Sequence, residues 1–339
     1  MKRQTAARLA VTAGAFVAAG VGATVLNDQR RDRRRLRRGE EVGFGTVHSD
    51  PVSLTAHDGV RLNIEIDPVG GPDASGSVDD PDLTIVFLHG WMCTLDTWHY
   101  QRLALRGRER MVFLDHRSHG GSGRSRGTNS SLADLARDLR TVLDELVPTG
   151  PIVVVGHSMG GMTIQRLAVD DPGWFGDRIR GVVLIGTSGG HLLRSSPALR
   201  RLVPLLRVAG PAMDWGRAFN SYSVLRRWAV GPEAEPQHID MCDEMILRAP
   251  SHVIFDFYPN FVGLDLTSGH AAIGRACTTV VGGPYDQLTP FSHSERLVES
   301  IPGADLVEVP GAGHMMMFER HEIVTSAIED LVAEVRRKL

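Results

Sequence analysis

Residues 152–161 have the sequence IVVVGHSMGG, in which an uncharged apolar run leads directly into a serine between two glycines. The run predicts a short buried strand, and the residues from 159 onward have helical periodicity. A Gly-x-Ser-x-Gly pattern between a strand and a helix is typical of a sharp turn that raises the serine hydroxyl above a sheet. The pattern alone occurs often by chance, so its position between these two elements carries the prediction.

Similar apolar runs recur on both sides of this segment and alternate with stretches of helical periodicity. Near-continuous apolar strands separated by helices indicate a parallel sheet that is covered on both faces. The sequence therefore predicts an α/β fold, with a mostly parallel sheet of about eight strands flanked by helices. The predicted strands are 83–88, 111–115, 152–156, 182–186, 277–283 and 305–311, and the predicted helices lie near 96–105, 131–147, 159–170, 292–300 and from about 320.

The alternation is interrupted once. Residues 191–272 contain no comparable strand, several prolines and helix-like stretches. An insertion above the C-terminal edge of a sheet is where a lid over a ligand crevice would lie. We therefore predict four parts: an N-terminal hydrophobic and Arg-rich anchor segment (1–38), a first part of the core that opens with a hairpin and a polar loop (39–190), a helical lid (191–272) and a second part of the core (273–339).

A serine hydroxyl is a weak nucleophile unless a base removes its proton, and that base needs an acid to orient it. His314 follows the last predicted strand in the sequence GAGH, and Asp286 follows the preceding strand in GGPYDQLTP. Both therefore fall at the same edge of the sheet as Ser158. The chain order Ser158, Asp286, His314 is the order expected for this kind of turn.

Acyl transfer also needs donors that face the oxygen on which negative charge develops. The backbone N–H of Met159, at the start of the helix after Ser158, is the first predicted donor. The second is the backbone N–H of Trp91, in the loop that follows the strand ending at Leu88. His89, in the same loop, is interpreted as a structural hydrogen-bonding residue rather than a base.

Five motifs resemble the α/β-hydrolase fold superfamily, and in particular bacterial serine esterases and lipases with an N-terminal hydrophobic segment. The resemblance covers roughly residues 50–337 and implies Ser158 as nucleophile, Asp286 as acid and His314 as base. It also implies Trp91 and Met159 as oxyanion donors. Ser118 stands where the family usually has glycine, in a loop that is usually structural. The motifs are HGWM (89–92), DHRSHGGSGRS (115–125), GHSMGGM (156–162), GGPYDQLTP (282–290) and GAGHMMMFE (311–319).

A serine nucleophile disfavours the epoxide hydrolases and dehalogenases of this fold, because they use a carboxylate at that position. The resemblance then implies a serine hydrolase, most similar to carboxylesterases and lipases (EC 3.1.1), that cleaves an ester or thioester of an apolar acyl substrate. Two alternatives stay open: a perhydrolase or non-haem haloperoxidase-like enzyme with the same triad, and a non-catalytic ligand-binding protein. No metal or cofactor is expected. Aromatic residues of the predicted lid are candidates for an acyl pocket: Phe255, Phe257, Tyr258 and Phe261.

Composition excludes several classes of protein. With 339 residues, 42% hydrophobic content and scattered Gly and Pro, the chain is neither disordered, collagenous nor a multi-span membrane protein. Three cysteines without a CxxC pair indicate neither a disulfide framework nor a thiolate zinc site.

The N-terminal arm has a different character from the rest of the chain. Residues 1–38 contain ten Lys/Arg and two Asp/Glu, so they carry +8, whereas the net charge of the whole chain is −3. Residues 9–26 are uncharged and are followed by an Arg cluster without interleaved aromatics, which argues against nucleic acid. We predict membrane association through a single N-terminal span, with the catalytic domain in the cytoplasm. The alternatives are secretion after signal-peptide cleavage and an unanchored tail.

Overall fold

The computed structural model describes residues 42–70, 83–125, 129–192 and 221–339. Strands form at each place where the sequence predicts one, and the central strands are the most apolar. Together they form one eight-stranded sheet. The strands are β1 Pro51–Thr55, β2 Arg61–Asp67, β3 Thr84–Leu88, β4 Arg110–Asp115, β5 Ile152–His157, β6 Ile179–Ile185, β7 Cys277–Gly282 and β8 Ala304–Glu308.

The strand order is β1-β2-β4-β3-β5-β6-β7-β8. The first two strands pair in antiparallel fashion with each other and with β4, and all the remaining pairs are parallel. β5 lies near the centre, between β3 and β6, so the turn after it opens at the C-terminal edge of the parallel strands. The predicted fold class, a mostly parallel sheet of about eight strands flanked by helices, is confirmed.

Helices connect the parallel strands because a parallel connection must cross from one end of the sheet to the other. The helices with both ends inside the described ranges are α1 His99–Leu105, α2 Leu132–Leu146, α3 Met159–Asp170, α4 Pro236–Arg248, α5 Ser251–Phe257, α6 His270–Ile273, α7 Ser292–Ser300, α8 Met316–Glu319 and α9 His321–Lys338. Five of them, α1, α2, α3, α7 and α9, lie at the predicted positions, within three residues at each end.

Both faces of the sheet are buried, and β5 shows how. Val153 and Val155 contribute to one apolar layer, while Ile152 and Val154 contribute to the layer on the opposite face. Successive side chains of a strand point to opposite faces, so a strand that is covered on both sides must be apolar at every position. This requirement explains why the central strands have uninterrupted apolar sequences.

The insertion is the stretch between β6 and β7, residues 186–276, and it corresponds to the predicted lid. Residues 193–220 of it lie outside the described ranges, and its described parts contain helical residues and no strand. Helix α4 packs next to α1, where Tyr100 Oη contacts the sulfur of Met241 at 3.7 Å and Thr97 Oγ1 contacts that of Met245 at 3.4 Å. The four-part division of the chain remains a prediction.

The predicted membrane localisation through a single N-terminal span is wrong. None of the helices in the described ranges combines the length and the apolar character needed to cross a membrane. The segment on which the prediction rested, residues 9–26, lies outside those ranges. It is rich in Ala and Gly, which contribute little to the hydrophobicity required for insertion, so its lack of charge overstated its membrane character.

The loop after β4 contains Ser118 at the position where the resembling family usually has glycine. Its φ is 66°, in the left-handed region that only glycine enters without steric cost. The hydroxyl of Ser118 lies 2.9 Å from that of Ser125 and accepts a hydrogen bond from the Ser125 N–H at 2.9 Å. These bonds offset part of the strain, so the loop keeps its shape without the glycine.

Arg117 anchors the same loop from inside the protein. Its side chain is fully buried and donates to both carboxylate oxygens of Asp138, at 2.7 and 2.6 Å. It also donates to Asp58, at 2.7 Å, in the turn between β1 and β2. Burial raises the pKa of the Asp58 carboxyl, but hydrogen bonds from Arg117 and Asn129 outweigh it and lower that pKa to about 2. One guanidinium therefore ties the hairpin, the loop and helix α2 together.

Replacing Arg117 with methionine removes this cation and leaves the Asp138 carboxylate buried without its partner. We expect Arg117→Met to lower the free energy of unfolding by about 3–5 kcal/mol, measured by urea denaturation. Arg137→Met is the control, because that side chain is more than half exposed and its pair with Asp134 should contribute at most about 1 kcal/mol. Equal, small effects of both substitutions would contradict a structural role for Arg117.

Candidate active site

Ser158 occupies the turn between β5 and α3, with backbone angles φ 51° and ψ −114°. A residue with a side chain rarely adopts a positive φ, and such strained positions concentrate at functional sites. The turn lifts Ser158 to the C-terminal edge of the sheet, where its side chain is partly exposed although its neighbours His157 and Met159 are buried.

Steric crowding explains why glycine is needed on either side of Ser158. A Cβ at Gly160 would overlap the carbonyl oxygen of Leu88, at the end of β3. A Cβ at Gly156 would lie 2.6 Å from the backbone nitrogen of Gly161, closer than real contacts allow. Strand β5, helix α3 and the end of β3 therefore approach one another so closely that only glycine fits at both positions.

Asp286 and His314 form a buried pair at the same edge. His314 Nδ1 lies 2.8 Å from Asp286 Oδ2. The other oxygen, Asp286 Oδ1, accepts the backbone N–H groups of Leu288 and Thr289, each at 2.8 Å, and the Thr289 hydroxyl donates to Oδ2 at 2.7 Å. Thr289 was not predicted from the sequence, although an Asp in a turn often accepts backbone N–H groups of the residues that follow it.

His157 connects Ser158 to this pair. Its Nε2 lies 3.1 Å from the backbone carbonyl oxygen of His314, and the two imidazole ring centroids are 4.7 Å apart. On the other side, a Cβ at Gly90 would lie 2.8 Å from His157 Nδ1 and 3.2 Å from the Cβ of Ser158. The structure thus brings the serine turn, the His314 loop and the loop after β3 together at one place.

Trp91 and Met159, the two predicted donors, flank the serine turn. Met159 is the first residue of α3, where backbone N–H groups have no partner within the helix. Trp91 follows Gly90, and the next residue, Met92, has a φ of 62°. The indole of Trp91 donates to the carbonyl oxygen of Val253 at 3.0 Å and packs edge-on against Phe261, with ring centroids 5.2 Å apart. The insertion therefore holds the Trp91 loop in place.

Three of the four aromatic residues predicted for a pocket lie beside the serine turn. Phe257 and Phe261 belong to a buried apolar cluster that also contains Met159, and Tyr258 packs against it. Phe255 is buried but lies outside this cluster, so the structure does not bring it to Trp91 and Met159. Consecutive positions on helix α5 point in different directions, which explains why one of the four is separated.

Four buried histidines surround the site. Burial lowers the pKa of His89 to about 4 and that of His119 to about 3, and it lowers those of His116 and His157 well below the usual value. The first three lie together, with the rings of His89 and His116 4.6 Å apart. His119 packs edge-on against Phe257 at 5.0 Å. All four are neutral imidazoles at neutral pH.

No group of three or more His, Cys, Asp or Glu side chains in the described ranges of the chain is arranged to hold a metal ion.

Known proteins resemble this chain in sequence. The model of the alpha/beta hydrolase family matches residues 85–327, which is well over half of the chain. A relative in Azorhizobium caulinodans, which has the provisional name carbamate hydrolase RutD, is 28% identical over 228 residues, 64% of this chain and 78% of the relative. The monoacylglycerol lipase of Mycolicibacterium smegmatis is 27% identical over 252 residues, covering 71% of this chain and 84% of that protein.

Solved structures show the same likeness. The structure of a thermophilic esterase from Thermogutta terrifontis matches with a TM-score of 0.69 and 25% sequence identity, covering 85% of this chain and all of the esterase chain. A hydrolase from Pseudomonas aeruginosa has a TM-score of 0.67 and 26% identity, over 84% of this chain and 98% of that one.

The buried histidines predict how stability depends on pH. Below about pH 6.5 the unfolded chain protonates each of them and the folded protein does not, so the free energy of unfolding falls as the pH decreases. Because the pKa of His119 is about 3 in the folded protein, His119→Gln should reduce the loss between pH 7 and pH 5 by about 2 kcal/mol. Urea denaturation at both pH values measures this difference.

Phe257→Leu is the control for this experiment, because it disturbs the ring packed against His119 without removing a titrating group. It should lower stability equally at both pH values. If His119→Gln has the same dependence on pH as the wild type, His119 is not buried in its neutral form.

Proposed function

Because the chain belongs to the alpha/beta hydrolase family, we propose that it is a serine hydrolase that cleaves a carboxylic ester or thioester of an apolar acyl substrate (EC 3.1.1 for an oxygen ester). Ser158 is the nucleophile, His314 the general base and Asp286 the acid that orients it. The backbone N–H groups of Trp91 and Met159 are the oxyanion donors. These roles are proposals supported by the geometry of the site.

The observation that carries the proposal is the hydrogen bond between His314 Nδ1 and Asp286 Oδ2. When Nδ1 carries the proton and donates it to the carboxylate, Nε2 is left with the lone pair that a general base needs. Asp286 is itself fixed by three donors, so the imidazole has a defined orientation. A surface histidine without such support would not be restricted to one tautomer.

The reaction then proceeds in two halves. Ser158 Oγ attacks the acyl carbon while His314 Nε2 takes its proton, and the carbonyl oxygen becomes an oxyanion that the two backbone N–H groups stabilise. Collapse breaks the bond to the leaving alcohol or thiol, which receives the proton from His314, and the acyl group stays on Ser158. A water molecule, deprotonated by His314, attacks this ester, and the carboxylic acid leaves as the Ser158 hydroxyl is restored.

The apolar cluster beside Ser158 supports an apolar acyl group. Trp91, Met159, Phe257 and Phe261 meet there, and such side chains gain from covering a hydrocarbon chain. The insertion supplies two of them, so we propose that it acts as the lid over the acyl site. The relatives named for carbamate and monoacylglycerol hydrolysis are consistent with acyl or carbamoyl chemistry at the same kind of site.

A fluorophosphonate probe tests the nucleophile, since it reacts with an activated serine and remains attached. We expect the wild type to be labelled at Ser158 and Ser158→Ala to take no label. Ser53→Ala, at an exposed position on the edge strand β1, is the control and should be labelled like the wild type. Peptide mass spectrometry locates the label. Labelling of Ser158→Ala to the wild-type extent would exclude Ser158 as the nucleophile.

Turnover is measured with p-nitrophenyl esters of increasing chain length. We expect kcat of Ser158→Ala and of His314→Gln to fall by about 10⁴–10⁶-fold, because the members of a triad act as a unit. Acetate-dependent halogenation in the presence of peroxide, without ester turnover, would instead support the perhydrolase alternative. If the wild type is not labelled and turns over none of the substrates, the result supports a non-catalytic binding protein.

A further inference from the structure

Glu319, at the end of α8, is a buried carboxylate that connects two separate parts of the chain. Its Oε2 accepts the backbone N–H of Gly231 at 2.6 Å, and its Oε1 accepts that of Gly313 at 3.0 Å. Gly313 directly precedes His314, whereas Gly231 belongs to the insertion, between the helical residues 221–228 and α4. A single side chain therefore contacts both the loop that carries the proposed base and the proposed lid.

The backbones of the same two segments also contact each other directly. The carbonyl oxygen of Ala229 accepts the N–H groups of His314, at 2.8 Å, and of Met315, at 3.0 Å. A Cβ at Gly231 would overlap the carbonyl oxygen of Gly311. The segment 229–231 therefore lies against the His314 loop with no space between the two main chains.

A carboxylate is expensive to bury unless hydrogen bonds or a cation compensate for the lost water. Burial raises the pKa of Glu319, while the N–H groups of Gly231 and Gly313 and the nearby Arg320 act in the opposite direction. Arg320 directs its own Nη2 to Glu233 of the insertion, at 3.0 Å. The donors that stabilise the Glu319 carboxylate come from the His314 loop and the insertion, so separating these segments would leave it with the N–H of Gly313 and without that of Gly231.

We propose that Glu319 is a positioning residue through which docking of the insertion segment 229–231 sets the place of the His314 imidazole. The inference rests on the proposed function, in which His314 is the general base. His314 is then held at three points: its ring by Asp286, its backbone N–H by Ala229, and the peptide before it by Glu319. When segment 229–231 moves away, the support from Ala229 is lost, and Glu319 loses the Gly231 N–H that holds its carboxylate in place.

The expected consequence concerns the rate of the reaction rather than the binding of substrate. In Glu319→Gln, an amide NH₂ group replaces one carboxylate oxygen. This group is a donor, so it cannot accept the hydrogen bond from the backbone N–H that it faces. Misplacement of a catalytic group by about 1 Å is enough to cost on the order of 100-fold in rate. The acyl site beside Trp91 and Phe261 does not contain Glu319, so KM should change little.

The test compares full-length Glu319→Gln with the wild type. We expect kcat for a p-nitrophenyl ester to fall on the order of 10- to 100-fold with KM nearly unchanged. The downfield proton NMR signal of the His314 Nδ1–H in its bond to Asp286 should shift or broaden. Glu322→Gln is the matched control, because Glu322 lies three residues further on with a side chain that is 76% exposed. It should leave both quantities unchanged.

A second variant reaches the same contact from the insertion. Gly231→Ala places a methyl group against the Gly311 carbonyl and should reproduce both the loss of kcat and the change in the proton signal. Gly173→Ala is its control, because a Cβ there meets nothing within 4 Å. Thermal unfolding of all four variants identifies any that fail to fold, and kcat and the proton signal are compared among the folded variants.

The outcomes separate this inference from the proposed function. A wild type that neither turns over esters nor accepts a phosphonate on Ser158 removes the proposed function, while the NMR signal still reports whether Glu319 positions His314. An active wild type together with a folded Glu319→Gln whose kcat and His314 proton signal match it overturns the inference. A lowered melting temperature with unchanged kcat and signal would show a structural role only and would overturn it as well.

Discussion

The backbone turn at Ser158 is the constraint on which the arrangement of this protein depends. A serine with a φ of 51° is tolerated only because strand β5, helix α3 and the end of β3 fix it from three directions. Those contacts require glycine at positions 156 and 160 and a sheet that is buried on both faces. The buried sheet and these close contacts therefore support one strained residue at the edge of the sheet.

The other parts of the site come from loops at the same edge, where the carboxyl ends of parallel strands meet. The loop after β3 brings Trp91, the loop after β7 brings Asp286, and the loop after β8 brings His314. The insertion after β6 contacts the first of these through Val253 and the last through Ala229. A single segment thus touches both the proposed oxyanion loop and the loop of the proposed base.

Much of the fold was predictable because buried parallel strands require apolar residues at every position, and this requirement is visible in segments such as 152–157. The chemical residues were predictable where a motif restricts the backbone, as at Ser158, or where a loop follows a strand, as at Asp286 and His314. The pairing of β2 with β4 and the contact of Glu319 with Gly231 join residues far apart in the chain, so no local sequence pattern indicates them. The separation of Phe255 from the apolar cluster depends on the orientation of a short helix. The membrane prediction failed for another reason, because an uncharged Ala/Gly-rich run is only weakly apolar.

We propose that the turn at Ser158 presents an activated hydroxyl to a carbonyl carbon between His314 and two backbone donors. A crystal structure of the protein after reaction with a phosphonate ester tests it most directly, because the adduct has the shape and charge of the tetrahedral intermediate. We expect phosphorus bonded to Ser158 Oγ, with one phosphonyl oxygen within hydrogen-bond distance of the backbone nitrogens of both Trp91 and Met159. Phosphorus on another residue, or a phosphonyl oxygen that points away from both nitrogens, would contradict it.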